Sequence, residues 1–262
     1  MKKTLTALAV AASAMASGAA MAGWVPNGLG GELKLSGELT PADHVTPWEV
    51  MVGDAVTGLD APVKKGQKIA VIGVKKSIPV LGIRTQSKEP FKGTSGISPQ
   101  IDFKGAVSKL DNLADAEDAV LTLDVTDGAN KIGKMVAPFI AAAQYSVAGP
   151  SANSVYKNMY AASSGEAFLG GLATVKGSIQ EAFSDRVAAL DSKFKAHFNE
   201  QDVSQNDVSG SNLFTNTEHT YSAWYGSGIE SGKSIKITLD NPVSGNDKIQ
   251  WHASLPVVVS YM

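Results

Sequence analysis

The side chains able to do chemistry are few and scattered. The chain has no cysteine and four histidines, His44, His197, His219 and His252. No two of them stand at the spacing of a metal-binding pair, so neither a metal site nor a catalytic site is expected. The missing cysteine excludes disulfides, thiol nucleophiles, iron–sulfur clusters and cysteine-based zinc sites at once. There is no G-x-S-x-G elbow, no H-E-x-x-H and no Walker loop. The glycines of Gly226-Ser227-Gly228-Ile229-Glu230-Ser231-Gly232 have the wrong spacing for a phosphate loop and no helix behind them, so the stretch reads as a turn. Asp111, Asp115, Glu117 and Asp118 lack the central glycine and regular oxygen spacing of a calcium loop and read as a solvated acidic loop. Lys64-Lys65 and Lys75-Lys76 are too short for a nucleic-acid surface. With 23 Lys plus Arg against 25 Asp plus Glu and a net charge of −2, no nucleic-acid partner is expected. The expectation is a non-enzymatic chain that needs no cofactor.

The elements carrying these residues begin with a leader. Lys2 and Lys3, a short apolar run from Leu5 to Ala16 and the small-x-small motif Ala20-Met21-Ala22 make residues 1–22 an export signal peptide. No later segment has 18 consecutive apolar residues, so no membrane-spanning helix is expected. The mature chain then passes through an oxidising periplasm without a disulfide to brace it.

Most of the mature chain reads as short strands between turn residues. Lys68 to Val74, Ile78 to Ile83, Ile97 to Phe103, Ala119 to Val125, Ile132 to Tyr145, Ser234 to Leu239 and Lys248 to Tyr261 are strand candidates, and their spacing suggests an all-β sandwich. One region differs. Ile179, Phe183, Val187, Leu190, Phe194 and Phe198 recur at steps of three and four, which predicts a helix opened by the capping box Ser178-Ile179-Gln180-Glu181. A shorter helical or irregular stretch is expected over Ser154 to Leu169. The segment from about 145 to 215 is therefore an insertion in a β framework.

The two ends stand out. Leu29, Gly31, Leu33, Leu35, Gly37 and Leu39 share one face of an alternating strand, with Gly30, Glu32, Lys34, Ser36 and Glu38 opposite. Such a strand is either an edge of its own sheet or an arm donated to a neighbour, whose main chain supplies the hydrogen bonds while alternate side chains fill pockets. The other end closes on Leu255-Pro256-Val257-Val258-Val259-Ser260-Tyr261-Met262, an apolar strand with nothing after it to pair its outer edge. A donor at one end and an uncovered edge at the other suggest head-to-tail polymerisation.

On these residues the chain is similar to the FaeG-type major subunits of chaperone–usher fimbriae from enterotoxigenic enteric bacteria. The blocks are Met1 to Leu5, Gly28 to Thr40, Trp48-Glu49, Ser98 to Phe103, Gly170-Gly171-Leu172, Gln250-Trp251 and Tyr261, while residues 145–215 match poorly. The resemblance implies a mainly β protein, an incomplete immunoglobulin-like β-sandwich (the pilin fold) with a helical insertion. Residues 23–40 would be the donor-strand extension and 41–262 the pilin domain. A periplasmic chaperone would lend the missing strand, and at an outer-membrane usher the extension of the next identical subunit would replace it. Leu29, Gly31, Leu33, Leu35, Gly37 and Leu39 would be the donor face; Val257, Val259 and Tyr261 would line the acceptor edge. The resemblance further implies a fimbrium on the cell surface whose major subunit binds host glycoconjugates through the insertion. There Tyr156, Lys157, Tyr160 and Glu166 combine aromatic faces with polar groups. The alternatives left open are a non-adhesive or minor pilin and a self-contained secreted β-sandwich binding protein or hydrolase.

Overall fold

The computed structural model describes residues 26–29, 33, 35–39, 45–115, 117–150, 154–176 and 181–262. The chain divides into two units, 1–44 and 45–262. The expected leader and His44 lie outside the described residues. In the first unit, the described residues between 26 and 39 belong to no strand, and Leu29, Leu33, Leu35 and Leu39 are exposed.

Among its described residues the second unit is a sandwich of thirteen strands with one α-helix and a 3-10 turn at Leu110–Asp115. In chain order the strands are β1 (Trp48–Val52), β2 (Ile69–Gly73), β3 (Ile78–Thr85), β4 (Phe91–Lys92), β5 (Pro99–Asp102), β6 (Val107–Ser108), β7 (Ala119–Asp127), β8 (Asn130–Ala148), β9 (Val155–Met159), β10 (Gln205–Gly210), β11 (Thr220–Ile229), β12 (Ser234–Leu239) and β13 (Val258–Tyr261), with α1 (Glu181–Ala188) between β9 and β10. The first layer runs β1-β3-β11-β8-β9-β10, with β4 also on β11. The second runs β6-β7-β8-β12-β2. Strand β8, 19 residues long, serves both: its first half pairs with β7 and β12 and its second with β11 and β9. A separate two-stranded ladder joins β13 to β5. Clean alternation explains the second layer. In β12 the residues Ile235, Ile237 and Leu239 are buried while Ser234, Lys236 and Thr238 are exposed.

Three local expectations are corrected. The helix is shorter than the apolar spacing suggests: α1 ends at Ala188, Phe194 lies in a turn and Phe198 just after it. Phe194 leaves the helical path because its ring lies on two glycines paired across β3 and β11, Gly82 and Gly226. A Cβ on Gly82 would stand 2.6 Å from that ring. The Ser154 to Leu169 stretch starts with strand β9 rather than a helix, because Val155 to Asn158 pair along the edge of β8. Finally, Gly226 to Ile229 is no turn. It is the buried end of β11, the strand between β3 and β8, and the turn comes at Ser231–Gly232. Glycine and serine there leave the flat bed on which the insertion rests.

With no disulfide, aromatic packing braces one end of the sandwich. Trp48 lies 5.1 Å from Phe91, 5.5 Å from Phe214 and 5.8 Å from Phe168 between ring centroids. Phe214 touches Tyr221 and Tyr145, and Phe168 stacks on Tyr225. Rings of the β framework thus meet rings of the insertion in one buried cluster, each contact adding about 0.5–1.5 kcal/mol beyond area burial. The Trp48 indole also donates to the Ile97 carbonyl at 2.6 Å.

Candidate functional site

An apolar groove of about 1390 Å³ runs along the second layer. Its floor is Ile72, Leu121, Leu123, Met135, Ile235 and Ile237, from β2, β7, β8 and β12. One wall is the irregular chain from Val52 to Ala61; the other is the C-terminal segment from Gly245 to Leu255, ending on Val257. From Trp251 onward the second wall alternates, and the alternation continues into β13. Trp251, Ala253, Leu255, Val257, Val259 and Tyr261 are half-buried, while the residues between them are exposed.

That segment has the side-chain pattern of a strand but only part of a strand's bonds. Residues 258–261 pair with β5, and His252 exchanges two main-chain hydrogen bonds with Thr126. Among the described residues no main-chain hydrogen bond is made by 253–257, nor by 54–63 on the facing wall. An irregular chain on one side and an alternating one on the other thus border an apolar trough, with stretches of main chain that make no main-chain hydrogen bonds, the arrangement into which a further strand fits. One side chain crosses it: the Trp251 indole donates to the Leu59 carbonyl at 3.3 Å.

The acceptor residues expected from sequence fall on this wall. Val257 lines the groove; Val259 and Tyr261 continue the same face within β13, opposite Ile101 and Pro99. On the donor side, Leu29, Leu33, Leu35 and Leu39 present exposed side chains and Gly37 lies among them, whereas Gly31 lies outside the described residues. Trp251 and Leu59 were not singled out as groove residues from sequence. The available signal was a large aromatic at an inward position of an alternating C-terminal segment.

The insertion candidates occupy different surroundings. Tyr156 is buried, with its hydroxyl donating to Gln144 Oε1 at 3.1 Å and its ring beside Phe198. It belongs to a polar network in which Gln144 donates to Asn158 at 2.8 Å, as does Ser184 of α1, and the Trp224 indole donates to Gln144 at 3.0 Å. Glu166 is half-buried and already engaged: its carboxylate accepts from the Ala162 and Ser163 amides and the Ser211 hydroxyl. Burial raises its pKa, but those three donors outweigh burial and hold it below the usual carboxylate value. Lys157 and Tyr160 are half-buried, on and just after β9.

The other polar groups act as tethers. Asp111 accepts from the Thr174 amide and hydroxyl, both at 2.8 Å. Asp118 and Glu230 hold Arg186 of α1 at 3.2 and 2.6 Å, and Lys233 closes on Asp118. His197 donates through Nδ1 to the Thr85 carbonyl at 2.7 Å, with Glu49 at 3.3 Å. Among the described residues no three His, Asp or Glu side chains converge as a metal site would require. No helix among the described residues is long and apolar enough to cross a membrane.

Comparison with known proteins returns one family model, described as fimbrial, major and minor subunit, matched over residues 1–262. Among curated proteins the sequence is 32% identical to K88 fimbrial protein AB of Escherichia coli, over the full length of both chains. K88 fimbrial proteins AC and AD of the same organism are 31% and 30% identical, again over all of each chain.

Proposed function

The chain belongs to the family of fimbrial major and minor subunits, structural proteins of the bacterial surface rather than enzymes, and from that premise we propose that it enters its fibre by donor-strand exchange. The observation that carries the reading is a match of lengths. The inward face of the C-terminal segment has six positions from Trp251 to Tyr261, the first four lining the groove and the last two continuing in β13, and the arm has by sequence six alternating positions from Leu29 to Leu39. At about 3.3 Å per residue, each spans roughly 33 Å.

Energetics decide what must hold such a joint. Four leucines contribute on the order of 6–12 kcal/mol if fully buried, at about 1.5–3 kcal/mol each. Ordering eleven backbone residues costs roughly 11–22 kcal/mol, at about 1–2 kcal/mol each. Leucine burial alone therefore does not close the joint, and the hydrogen bonds of 253–257 and 54–63 have to contribute too. Before assembly the same edges need a cover, which makes a periplasmic chaperone, and an outer-membrane usher for the exchange, the partners of this reading. Deleting residues 23–40, or changing Leu33 to Asp, should leave the domain folded and abolish detergent-resistant ladders of head-to-tail polymer on a gel. Ladders of normal length from either variant would end the proposal.

Adhesion to host glycans is a second part of the proposal, supported by the half-buried Lys157 and Tyr160 at the outer strand pair β9–β10. Buried Tyr156 and fully engaged Glu166 would support that surface from behind. Tyr160→Ala with Lys157→Ala should abolish binding of intact fimbriae to a glycan array without shortening the fibres. Unchanged binding by the double variant would remove these residues from the proposal.

A further inference from the structure

Resting on the donor-strand reading, we propose that β5 couples the groove to the insertion: filling the groove steadies the loop that carries Glu166, and does so without tightening the rest of the insertion. The tie is a strand with a different partner on each edge. On one edge β5 takes β13 in antiparallel register, from Asp102↔Val258 to Pro99↔Tyr261. Ser98 and Met262 extend that ladder with amide-to-carbonyl bonds in both directions, each at 3.1 Å. On the other edge β5 takes the insertion. The Ile101 amide donates to the Leu169 carbonyl at 2.8 Å, and the Phe168 amide donates to the Pro99 carbonyl at 2.6 Å. Gln100 and Leu169 form a parallel bridge between them.

The sequence divides the two edges residue by residue. Along an antiparallel strand the main-chain bonds of neighbouring residues point to opposite sides. Ser98 turns its amide and carbonyl to Met262, so Pro99 and Ile101 turn theirs to the insertion. Proline stands at 99, where only a carbonyl is called for. Gly170 has a φ of +83°, and a Cβ there would stand 2.0 Å from the Ile101 carbonyl oxygen, so the loop lies directly against β5. Side chains add two further ties. Gln100 Nε2 donates to the Glu166 carbonyl at 2.9 Å, and the Ser98 hydroxyl donates to the Leu213 carbonyl. The Glu166 carboxylate holds the Ala162 and Ser163 amides and the Ser211 hydroxyl, and the Tyr160 amide donates to the Gly210 carbonyl at 3.1 Å. An unbroken set of bonds thus runs from β13 through β5 to the Glu166 loop and the chain beside Tyr160.

Strand β13 is the weak member of that set. Among the described residues it pairs with β5 alone, and the 253–257 stretch that feeds it makes no main-chain hydrogen bond. A two-stranded ladder with an open outer edge is marginal and opens locally. When it opens, β5 keeps its insertion partners but loses the ladder that fixes its position. A donor strand laid along the groove turns β13 from an edge into an inner strand, and the opening that frees β5 becomes rarer. The coupling is reciprocal: a ligand that steadies the Glu166 loop tightens the donor strand by the same factor.

The test is hydrogen–deuterium exchange of the full chain, isolated as the monomer, with and without an added peptide of residues 28–40. The peptide should slow exchange of the amides at 253–261 and, by about fivefold or more, of those at 162–171. A peptide carrying Leu33→Asp should protect neither. Protection at 253–261 with 162–171 unchanged overturns the coupling. Equal slowing in α1, which has no bond to β5, also overturns it, because the whole domain has then tightened instead of one path. In Gln100→Leu, which keeps the bulk and removes the donor, protection at 253–261 should persist while the gain at 162–166 falls about twofold or more. An undiminished gain in that variant overturns the part assigned to Gln100. No protection at 253–261 in the wild-type chain refutes donor-strand exchange itself and is told apart by that result.

Discussion

Replacing Gly82 with alanine tests how the insertion is held on the sandwich. Gly82 is absent from the positive-φ glycines, so an alanine there is conformationally allowed. On backbone grounds it should stabilise by about 0.4–1 kcal/mol, because the unfolded chain loses freedom. Sterics oppose that gain. The new Cβ would sit 2.6 Å from both Cδ1 and Cε1 of Phe194, where ordinary contact begins at 3.4 Å. The ring cannot slide along its bed, because Gly226 across the ladder holds its other edge as closely and Phe194 is only 2% exposed. Overpacking of this kind costs about 1–3 kcal/mol, so the clash wins. At about 2–4 °C per kcal/mol for a domain of this size, the melting temperature should fall by roughly 2–8 °C. The deciding assay is thermal unfolding of Gly82→Ala alone and combined with Phe194→Ala. Phe194→Ala alone should cost about 3–5 kcal/mol. In its background Gly82→Ala should change sign and become neutral or stabilising, since only the entropic gain remains. Additive losses would refute the reasoning and mean that the ring is not what glycine accommodates.

Three further outcomes rest on the same contacts. Asn158→Ala should destabilise by about 2–4 kcal/mol, because Gln144 and Ser184 lose their shared acceptor in a buried network; near-ultraviolet circular dichroism of Trp224 should change with it. Glu166 has a folded pKa below its unfolded value, so its contribution is present above the ordinary carboxylate range and fades as pH falls from about 5 through the lowered folded value. Stability of Glu166→Gln measured against pH should lack that acid-side loss. Arg186→Met should loosen α1 by about 1 kcal/mol or less, since the pair with Glu230 is partly exposed, and the effect should shrink further in high salt.

How much of this was legible depended on what each residue answers to. Strands β7 and β12 were plain in the sequence because their alternation reports a single buried face. Strand β11 was not, since its last residues are chosen for flatness: glycine and serine there make space for Phe194 and Leu190, and a local pattern cannot show a partner more than thirty residues away. The helix from Ser178 was overextended for the mirror reason. Phe194 and Phe198 keep the helical spacing, yet one answers to Gly82 and the other to Tyr156. At the candidate site, the two chain ends were readable as complementary patterns. The role of Trp251 was not, because only the fold brings Leu59 across from it.

Strand β8 gives the two layers a common fate. Its first half is zipped to β12 and β7, its second to β11 and β9, and no loop separates the halves. Neither layer can therefore melt by itself, because releasing one half frays the strand on which the other depends. The sandwich has the mechanics of two panels on one continuous spar. A tug arriving at the groove floor passes along that spar into the opposite layer as shear across many hydrogen bonds, instead of peeling them one at a time.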